Sequence, residues 1–274
     1  MRALSEQVVM ITGATDGLGK ALAKALAWKG TALILHGRNP DKGRSTVDAL
    51  VQETGNKNII YYNADMANLG EVRALAAKLL SAHQQLDLLI NNAGIGPAGG
   101  GGRRQMSQDG YELRFAVNYL APFLLTDLLL PLLQQTEGSR VVMVASGLQE
   151  PLDFEDLMLD AAYTGRRAYG QSKLALVMLA MTLSHRLRDA GIRINSVHPA
   201  SLMDTTLVRE SNSRPRSSIS EGVDAVLFVA TSPEVADISG AFFDGKRQAR
   251  AHDQAYDENA RKMLFTISSK LAGL

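Results

Sequence analysis

Short apolar runs alternate with longer amphipathic segments along almost the whole chain, and this alternation limits the possible folds most strongly. The runs are nearly continuous rather than interrupted at every second position, which is typical of parallel strands buried on both faces. The predicted strands are 8–11, 32–35, 59–62, 86–90, 141–144, 192–197 and 241–243. The predicted helices lie near 17–29, 41–54, 69–84, 106–135, 165–189, 219–231 and 255–271. This order predicts the α/β class, with a doubly wound parallel sheet of seven strands and helices on both faces.

Composition limits the classes of function. The chain has 274 residues, of which 46% are hydrophobic and 21% charged, and this excludes a disordered protein. No long linker interrupts the pattern, so we expect a single domain over 1–274. Lys and Arg number 29 and Asp and Glu 28, and this balance argues against a nucleic-acid partner.

Cysteine is absent, which excludes disulfides, thiolate catalysis and cysteine-bound zinc. We therefore expect a reducing, cytoplasmic compartment. The five histidines show no paired ligand spacing, so no metal site is predicted. The most apolar stretch, 120–133, is interrupted by polar residues and proline and is shorter than the roughly 20 residues that cross a bilayer, so no membrane partner is expected.

A glycine-rich turn, residues 12–19, joins the first predicted strand to the first helix. Gly13 permits a tight turn, Gly17 lets the backbone approach a pyrophosphate, and Gly19 allows close helix–strand packing. The helix N-terminus offers N–H groups to phosphates. The turn predicts a Rossmann nucleotide site, with cofactor contacts from Gly13, Thr15, Asp16, Gly17, Leu18 and Gly19.

The second strand runs into Arg38 and Asn39, and positions 36–40 contain no acidic residue. An enzyme selective for NAD places an acid there to bind the ribose 2′-hydroxyl. A guanidinium instead binds a 2′-phosphate through two parallel donors. We therefore predict that Arg38, with Asn39 beside it, favours NADP(H) over NAD(H).

Tyr169 and Lys173 are four residues apart in a predicted helix and so share one face. A free tyrosine has a pKa near 10 and is a poor base at neutral pH. A neighbouring ammonium stabilises the phenolate, so we expect Lys173 to lower the pKa of Tyr169. Ser146 ends the fifth strand, where its hydroxyl can donate to a developing carbonyl oxyanion.

Together these pieces resemble the short-chain dehydrogenase/reductase family over about 8–271. The matching motifs are Thr12-Gly13-x-x-x-Gly17-x-Gly19, Asp65, Asn91-Asn92-Ala93-Gly94, Asn118, Ser146 and Tyr169-x-x-x-Lys173. The resemblance implies a cofactor half over about 1–145 and a catalytic and substrate half over about 146–274. It also implies further cofactor contacts from Asp65, Met66, Asn92, Ala93, Gly94, Tyr169, Lys173, Pro199 and Thr205.

The resemblance also assigns catalytic roles. Tyr169 is implied as the proton donor or acceptor, Ser146 as the carbonyl anchor, and Lys173 as the partner of the ribose and of Tyr169. Asn118 is implied to hold a relay water through its backbone carbonyl. Pro122 has no N–H, so in a continuous helix it leaves that carbonyl unpaired; alternatively, Pro122 only kinks a core helix.

Two departures from the common pattern are visible. The gap from Ser146 to Tyr169 is long and carries the segment 154–158, and Ala200 stands where glycine is usual. The insert, the segment 109–112 and the final helix resemble the retinol-dehydrogenase-like and protochlorophyllide-reductase-like branch. The leucines and methionine at Leu148, Leu152, Met203 and Leu207 line an apolar pocket or belong to the core, and both interpretations stay open.

We therefore expect an NADP(H)-dependent oxidoreductase that acts on a small carbonyl or alcohol substrate, with substrate contacts from Ser146, Leu148 and Tyr169. Alternatives are a reductase of C=C bonds and a cofactor-sensing regulator. The stretch 201–220 is either a lid whose Arg209, Arg214 and Arg216 attract an anion or a solvated loop. The resemblance implies a homodimer or homotetramer built on the helices near 106–135 and 165–189.

Overall fold

A single sheet of eight strands forms the centre of the computed structural model, which describes residues 2–211 and 213–274. The spatial order is β3-β2-β1-β4-β5-β6-β7-β8. The strands are β1 Val8–Ile11, β2 Ala32–Gly37, β3 Ile59–Asn63, β4 Leu88–Asn91, β5 Arg140–Val144, β6 Arg193–His198, β7 Phe242–Asp244 and β8 Arg247–Ala249. Neighbouring strands from β1 to β7 all pair in parallel, which confirms the predicted doubly wound sheet.

The eighth strand corrects the predicted number of seven. β8 pairs antiparallel with β7 across a tight turn in which Gly245 has a φ of +60°. Its three residues are Arg, Gln and Ala, so no apolar run marks it in the sequence. A short polar strand at the sheet edge is set by pairing with its neighbour rather than by burial of its side chains.

The helices lie on both faces of the sheet. Their bounds are α1 Gly17–Ala27, α2 Pro40–Thr54, α3 Leu69–Ala82, α4 Leu113–Phe115, α5 Ala121–Leu128, α6 Leu130–Gln134, α7 Gly165–Arg186, α8 Thr206–Glu210, α9 Ile219–Thr231 and α10 Glu258–Ala272. The core on one face includes α3, α5, α6, α7 and α10, and the core on the other includes α1, α2 and α9. Within β1, Met10 enters the first core while Val9 and Ile11 enter the second.

The helix predicted over 106–135 is wrong at its start and in its continuity. Residues 106–112 form a turn closed by a bridge between Met106 and Glu112, and helical structure begins at α4. A π-helical turn, Ala116–Leu120, then joins α4 to α5, and a break at Leu129 separates α5 from α6. Prolines lie in the first turns of α5 and α6. Pro122 comes just after the π-helical turn, so the N–H that would bond to a carbonyl of that turn is missing.

The strand order reverses between β1 and β4, which are neighbours in space but not in the chain. In open α/β sheets, ligands bind in the crevice beyond the carboxyl ends of the strands at such a point. The ends of β1, β2, β4, β5 and β6 all meet at this edge. The fold therefore gathers the predicted site residues, which follow these strands in the sequence, at one place.

Candidate active site

A cleft of about 1040 Å³ opens at the carboxyl edge of the sheet. It is lined by every predicted site residue except Asn118: Gly13, Thr15, Asp16, Gly17, Leu18, Gly19, Arg38, Asn39, Asp65, Met66, Asn92, Ala93, Gly94, Ser146, Leu148, Tyr169, Lys173, Pro199 and Thr205. The residues come from both ends of the chain, so the folded sheet rather than any local segment assembles the site.

The glycine-rich turn is packed too closely for larger side chains. A Cβ on Gly13 would lie 2.8 Å from the Cα of Ala93, and a Cβ on Gly19 would lie 2.1 Å from the carbonyl oxygen of Gly13. The Asn92 amide donates to the carbonyl oxygens of Thr12, at 2.9 Å, and of Gly13, at 3.1 Å. The turn is therefore a bare backbone surface of the shape that a pyrophosphate needs.

Asp16 is the N-cap residue of α1, and its Oδ1 accepts from the Gly17 N–H at 2.7 Å. Asp16 Oδ2 also accepts from the hydroxyl of Thr206 at 2.8 Å, and this bond ties α8 to the turn. A Cβ on Gly17 would lie 3.3 Å from Cγ2 of Thr205. Thr205 thus lies directly beside the predicted pyrophosphate site, immediately before α8, a short helix within the stretch 201–220.

The far end of the cleft is basic. Arg38 is exposed there, and Asn39 begins α2 by accepting from the N–H groups of Asp41 and Lys42, each at 2.9 Å. Lys42 lines the cleft as well and was not predicted. Its position one helical turn after Arg38 is the signal that could have found it. Asp65 lies on the neighbouring wall and accepts from the Ala67 N–H through Oδ1 at 2.9 Å.

His36 is a second residue that the sequence did not single out. Its buried ring lies under the glycine-rich turn, with Nδ1 accepting from the Gly13 N–H at 3.4 Å and Nε2 3.0 Å from the Ala64 carbonyl oxygen. This pattern assigns the proton to Nε2. Burial lowers the pKa of His36 to about 4, so the ring is neutral at pH 7 and can accept from Gly13.

Tyr169 enters the cleft near Ser146, and its pKa differs from the expected direction. Burial raises the pKa of the phenol above its usual value, while the Ser146 side chain acts to lower it. The lowering of the Tyr169 pKa that was expected from Lys173 is not seen in the structure. Its Nζ lies 5.8 Å from the centre of the Tyr169 ring and donates to the carbonyl oxygen of Val144 at 2.7 Å. Tyr169 is therefore protonated at neutral pH, as a proton donor must be.

Lys173 is itself 5% exposed, and burial lowers its pKa to about 8. Gly94 lies over the ammonium: a Cβ at this position would be 3.5 Å from Nζ and 3.1 Å from the Oδ1 of Asn118. Only glycine leaves this part of the cleft open above the lysine. The space above Lys173 therefore explains why the motif has glycine at position 94.

Asn118 lies behind the cleft, fully buried in the π-helical turn. Its Oδ1 accepts from the Ile95 N–H at 2.8 Å, and its Nδ2 donates to the Ile95 carbonyl at 3.1 Å and to the Ser172 hydroxyl at 2.9 Å. The helix is not a continuous α-helix here, because the Ala121 N–H bonds to Ala116 five residues earlier. Pro122 has no N–H for either a four- or a five-residue bond, and the relay-water role of Asn118 stays a prediction.

The apolar candidates separate into two groups. Leu148, Met203 and Leu207 line the cleft, whereas Leu152 is buried in the core at 4% exposure. None of the described arginines predicted to attract an anion from 201–220 lines the cleft, and Arg209 donates through Nε to Asp204 at 2.8 Å.

In residues 2–211 and 213–274, no group of three His, Cys, Asp or Glu side chains is arranged to hold a metal. None of the helices described has the length and apolarity to traverse a bilayer.

Comparison with known proteins identifies the family. The family model described as short chain dehydrogenase matches residues 7–216, which hold the turn, Ser146, Tyr169 and Lys173. The chain belongs to the short-chain dehydrogenase/reductase family. It is therefore an oxidoreductase with a nicotinamide-binding fold, and the regulator alternative is not supported.

Relatives of this short-chain dehydrogenase/reductase support the branch suggested by the insert. Retinol dehydrogenase 13 of Homo sapiens is 32% identical, over 98% of this chain and 85% of its own length. Dehydrogenase/reductase SDR family member 13 of Homo sapiens is 33% identical, over 99% of this chain and 74% of its own length. The chain thus lies in the retinol-dehydrogenase-like branch.

Solved structures support the fold. A crystal structure of an uncharacterized protein from Mycobacterium paratuberculosis has a TM-score of 0.82 and 27% identity, covering 100% of this chain and 96% of its own. A short chain dehydrogenase from Escherichia coli CFT073, complexed with NADPH, has a TM-score of 0.69 and 22% identity, covering 89% and 98%. The second similarity shows the fold alone.

Proposed function

We propose that the protein transfers a hydride between NADP(H) and the carbonyl or alcohol group of a small apolar substrate, with Tyr169 as the acid or base. The observation that carries the proposal is that Ser146, Tyr169 and Lys173 line the same cleft as the glycine-rich turn. A nicotinamide cofactor, when bound, supplies or accepts the hydride. The chain supplies position, hydrogen bonds and the proton.

In the direction of reduction, Ser146 and Tyr169 donate hydrogen bonds to the carbonyl oxygen and stabilise the charge that develops on it. The raised pKa of Tyr169 holds the proton on the phenol until the oxygen needs it. Lys173, whose pKa of about 8 keeps it largely protonated at neutral pH, contributes positive charge beside the departing proton. Asn118 is proposed to hold the water that returns a proton to this site.

The choice of NADP(H) over NAD(H) rests on Arg38 and Lys42. Both line the end of the cleft beyond β2, and the segment that joins β2 to α2 carries no acid that would repel a phosphate. Paired cations bind a 2′-phosphate through charge-assisted hydrogen bonds. The Escherichia coli structure of the same fold is complexed with NADPH, so a fold of this type can hold that cofactor.

The substrate class is proposed from the walls of the cleft and from the relatives. Leu148, Met203 and Leu207 give the cleft an apolar surface, and the relatives include retinol dehydrogenases. We infer an apolar aldehyde, ketone or alcohol as substrate, a cytoplasmic location and a homodimer or homotetramer. α10 packs on α7, and the structure leaves no residue of α5 exposed, so the proposed assembly cannot rest on α5 and α7 alone.

The variant Tyr169→Phe tests the function. It removes the proton donor but keeps the ring, so NADPH-dependent reduction of decanal should fall by roughly three orders of magnitude while NADPH binding, followed by nucleotide fluorescence, is retained. The matched variant Tyr256→Phe, at an exposed tyrosine, should behave as the wild type. Full turnover by Tyr169→Phe would reject the assignment. Reduction of the C=C bond of cyclohexenone without any carbonyl reduction would favour the other enzyme class.

A further inference from the structure

Arg114 in α4 is the largest fully buried side chain in the described part of the chain, and it lies outside the machinery described above. Its Nε donates to the carbonyl oxygen of Gly96 at 3.0 Å. Its Nη2 donates to the carbonyl oxygens of Pro97 at 2.9 Å and Gly99 at 2.7 Å. With the bond from Nη1 to the carbonyl oxygen of Arg103 at 3.5 Å, one guanidinium therefore holds four carbonyl oxygens of the segment 96–103, which we name the glycine loop.

The charge of Arg114 is balanced from the other side. Glu112 Oε1 lies 3.4 Å from Nη1, and both side chains are buried. The Tyr163 hydroxyl bonds to the same Nη1 and lies 3.1 Å from Glu112 Oε1 and 3.2 Å from the carbonyl oxygen of Arg103. Removing one partner of such a buried pair strongly destabilises the folded protein, because the other charge is left buried without a partner. The folded protein therefore keeps Glu112 and Arg114 together.

The glycine loop has little order of its own. Five of its eight residues are glycines, which lose the most conformational freedom on ordering. Its residues Gly99–Gly102 form a single 3₁₀ turn, and further backbone bonds run from the Gly99 N–H to the Gly96 carbonyl, at 3.2 Å, and from the Gly102 N–H to the Ala98 carbonyl, at 3.0 Å. The donors of Arg114 therefore supply much of what holds this segment in one path.

The glycine loop forms one wall of the cleft beside the reacting residues. A Cβ on Gly165 would lie 2.1 Å from the Pro97 carbonyl oxygen, and Gly165 precedes Tyr169 by one turn of α7. On the other side, a Cβ on Gly96 would lie 2.7 Å from Cγ of Leu207. Arg114 is not part of the lining but lies behind the wall.

We propose that Arg114 is a positioning residue that fixes the glycine loop as a rigid wall of the cleft and thereby sets the preference for long over short apolar substrates. The inference rests on the proposed function. With its carbonyl at Ser146 and Tyr169, a three-carbon aldehyde has far less apolar surface to place against the loop than a ten-carbon aldehyde. A ten-carbon aldehyde gains binding energy from the wall, and this energy depends on the wall being in place.

The first test compares NADPH-dependent kcat/KM for decanal and propanal in Arg114→Gln, Arg114→Lys and Tyr163→Phe. We expect Arg114→Gln to lower kcat/KM for decanal by roughly 10- to 100-fold and for propanal by roughly threefold or less, with most of the difference in KM. Arg114→Lys should recover part of the ratio. Tyr163→Phe should change it in the same direction but less.

Arg140 provides a matched control. It is also a buried arginine, 5% exposed, and it donates to the carbonyl oxygens of Ala230 and Ser232, both at 3.1 Å, at the opposite edge of the sheet. Arg140→Gln should lower the melting temperature and leave the ratio of the two aldehydes at the wild-type value. An equal change in the ratio for both arginine variants would mean that Arg114 has only a structural role.

Limited proteolysis is the second test and needs no substrate. Trypsin can cut after Arg103 and Arg104 at the end of the glycine loop, and Arg114→Gln should be cut there faster than the wild type or Arg140→Gln. Unchanged cleavage together with an unchanged aldehyde ratio would overturn the proposal. If Arg114→Gln does not fold, the same two readouts on Tyr163→Phe decide. If the wild type reduces neither aldehyde, the proposed function fails, and cleavage alone decides whether Arg114 holds the loop.

Discussion

Arg38 and Lys42 place two positive charges on one wall of the cleft, where a phosphate on the adenosine ribose would meet them. These two side chains contribute to cofactor binding only where that phosphate is present, and they contribute little to the stability of the fold, because an exposed cation without a partner stabilises little. At the scale of single residues, we therefore expect that the proposed preference for NADPH can be changed by substitution without disturbing the fold. The neighbouring Asn39 has the separate task of beginning α2.

We expect Arg38→Asp to raise the KM for NADPH by roughly 10- to 100-fold, since a charge-assisted bond is lost and a repulsive carboxylate is gained. The KM for NADH should fall, because the new acid can accept from a ribose 2′-hydroxyl. Steady-state kinetics with both cofactors measure the change. Arg44→Asp, at an arginine on α2 away from the cleft, is the control and should leave the preference unaltered. An unchanged preference in Arg38→Asp would remove Arg38 from the site.

At the scale of elements, close backbone contact sets the spacing between the glycine-rich turn and α1, and side chains hold the turn from outside. The backbone of α1 at Gly19 lies against the Gly13 carbonyl oxygen. The side-chain amide of Asn92, just after β4, donates to the same oxygen. Any atom added at this contact must push α1 away from the sheet. The phosphate-binding end of the cleft thus depends on the spacing between one helix and one turn.

Gly19→Ala should lower the free energy of unfolding by roughly 1–3 kcal/mol and weaken NADPH binding, because the new Cβ would overlap backbone atoms that cannot rotate away. Urea denaturation and fluorescence titration measure the two effects. Gly70→Ala on α3, where the nearest atom is a side-chain oxygen at 3.0 Å, is the control. We expect it to be close to neutral. Wild-type binding and stability in Gly19→Ala would contradict the contact.

The sequence was most informative where burial is continuous along the chain. All seven parallel strands lie within two residues of their predicted bounds, because their apolar runs are buried on both faces. β8 was missed because it is short and polar and only pairs with β7 across a tight turn, and α8 because it is short and held by contacts distant in sequence. The bond between Thr206 and Asp16 is one such contact.

The same distinction applies to the site. Ser146 was predicted from its place at the end of a strand, and Lys173 from its spacing to Tyr169, and both belong to motifs that the resemblance supplied. His36 and Arg114 were missed because each acts through contacts that only the folded chain creates. The direction of the Tyr169 pKa was also wrong, since burial by surrounding elements outweighs a nearby ammonium that is hydrogen-bonded elsewhere.

At the scale of the whole molecule, the sheet buries ionisable groups at the base of the cleft, and their burial links stability to pH. His36 has a folded pKa of about 4 against 6.5 in the unfolded chain. Above pH 6.5 both states are neutral. As the pH falls from 6.5 to 4, the unfolded chain takes up a proton that the folded chain does not, so the free energy of unfolding decreases.

The variant His36→Gln should therefore lose less stability than the wild type between pH 6.5 and pH 4, by roughly 3 kcal/mol. Urea denaturation at a series of pH values measures the difference. His185→Gln, at an exposed histidine, should follow the wild type. Parallel curves for the wild type and His36→Gln would show that the ring is not held neutral.

Arg114 binds the glycine loop through backbone carbonyl oxygens, which are present whatever the side chain is. The bond from Arg114 to the Pro97 carbonyl oxygen is consequently independent of which side chain stands at that position. Pro97 and Ala98 could be randomised in a directed-evolution library while their peptide framework keeps its course. The enzyme carries a scaffold and an interchangeable lining in one short stretch, and new selectivities should be accessible there without rebuilding the protein.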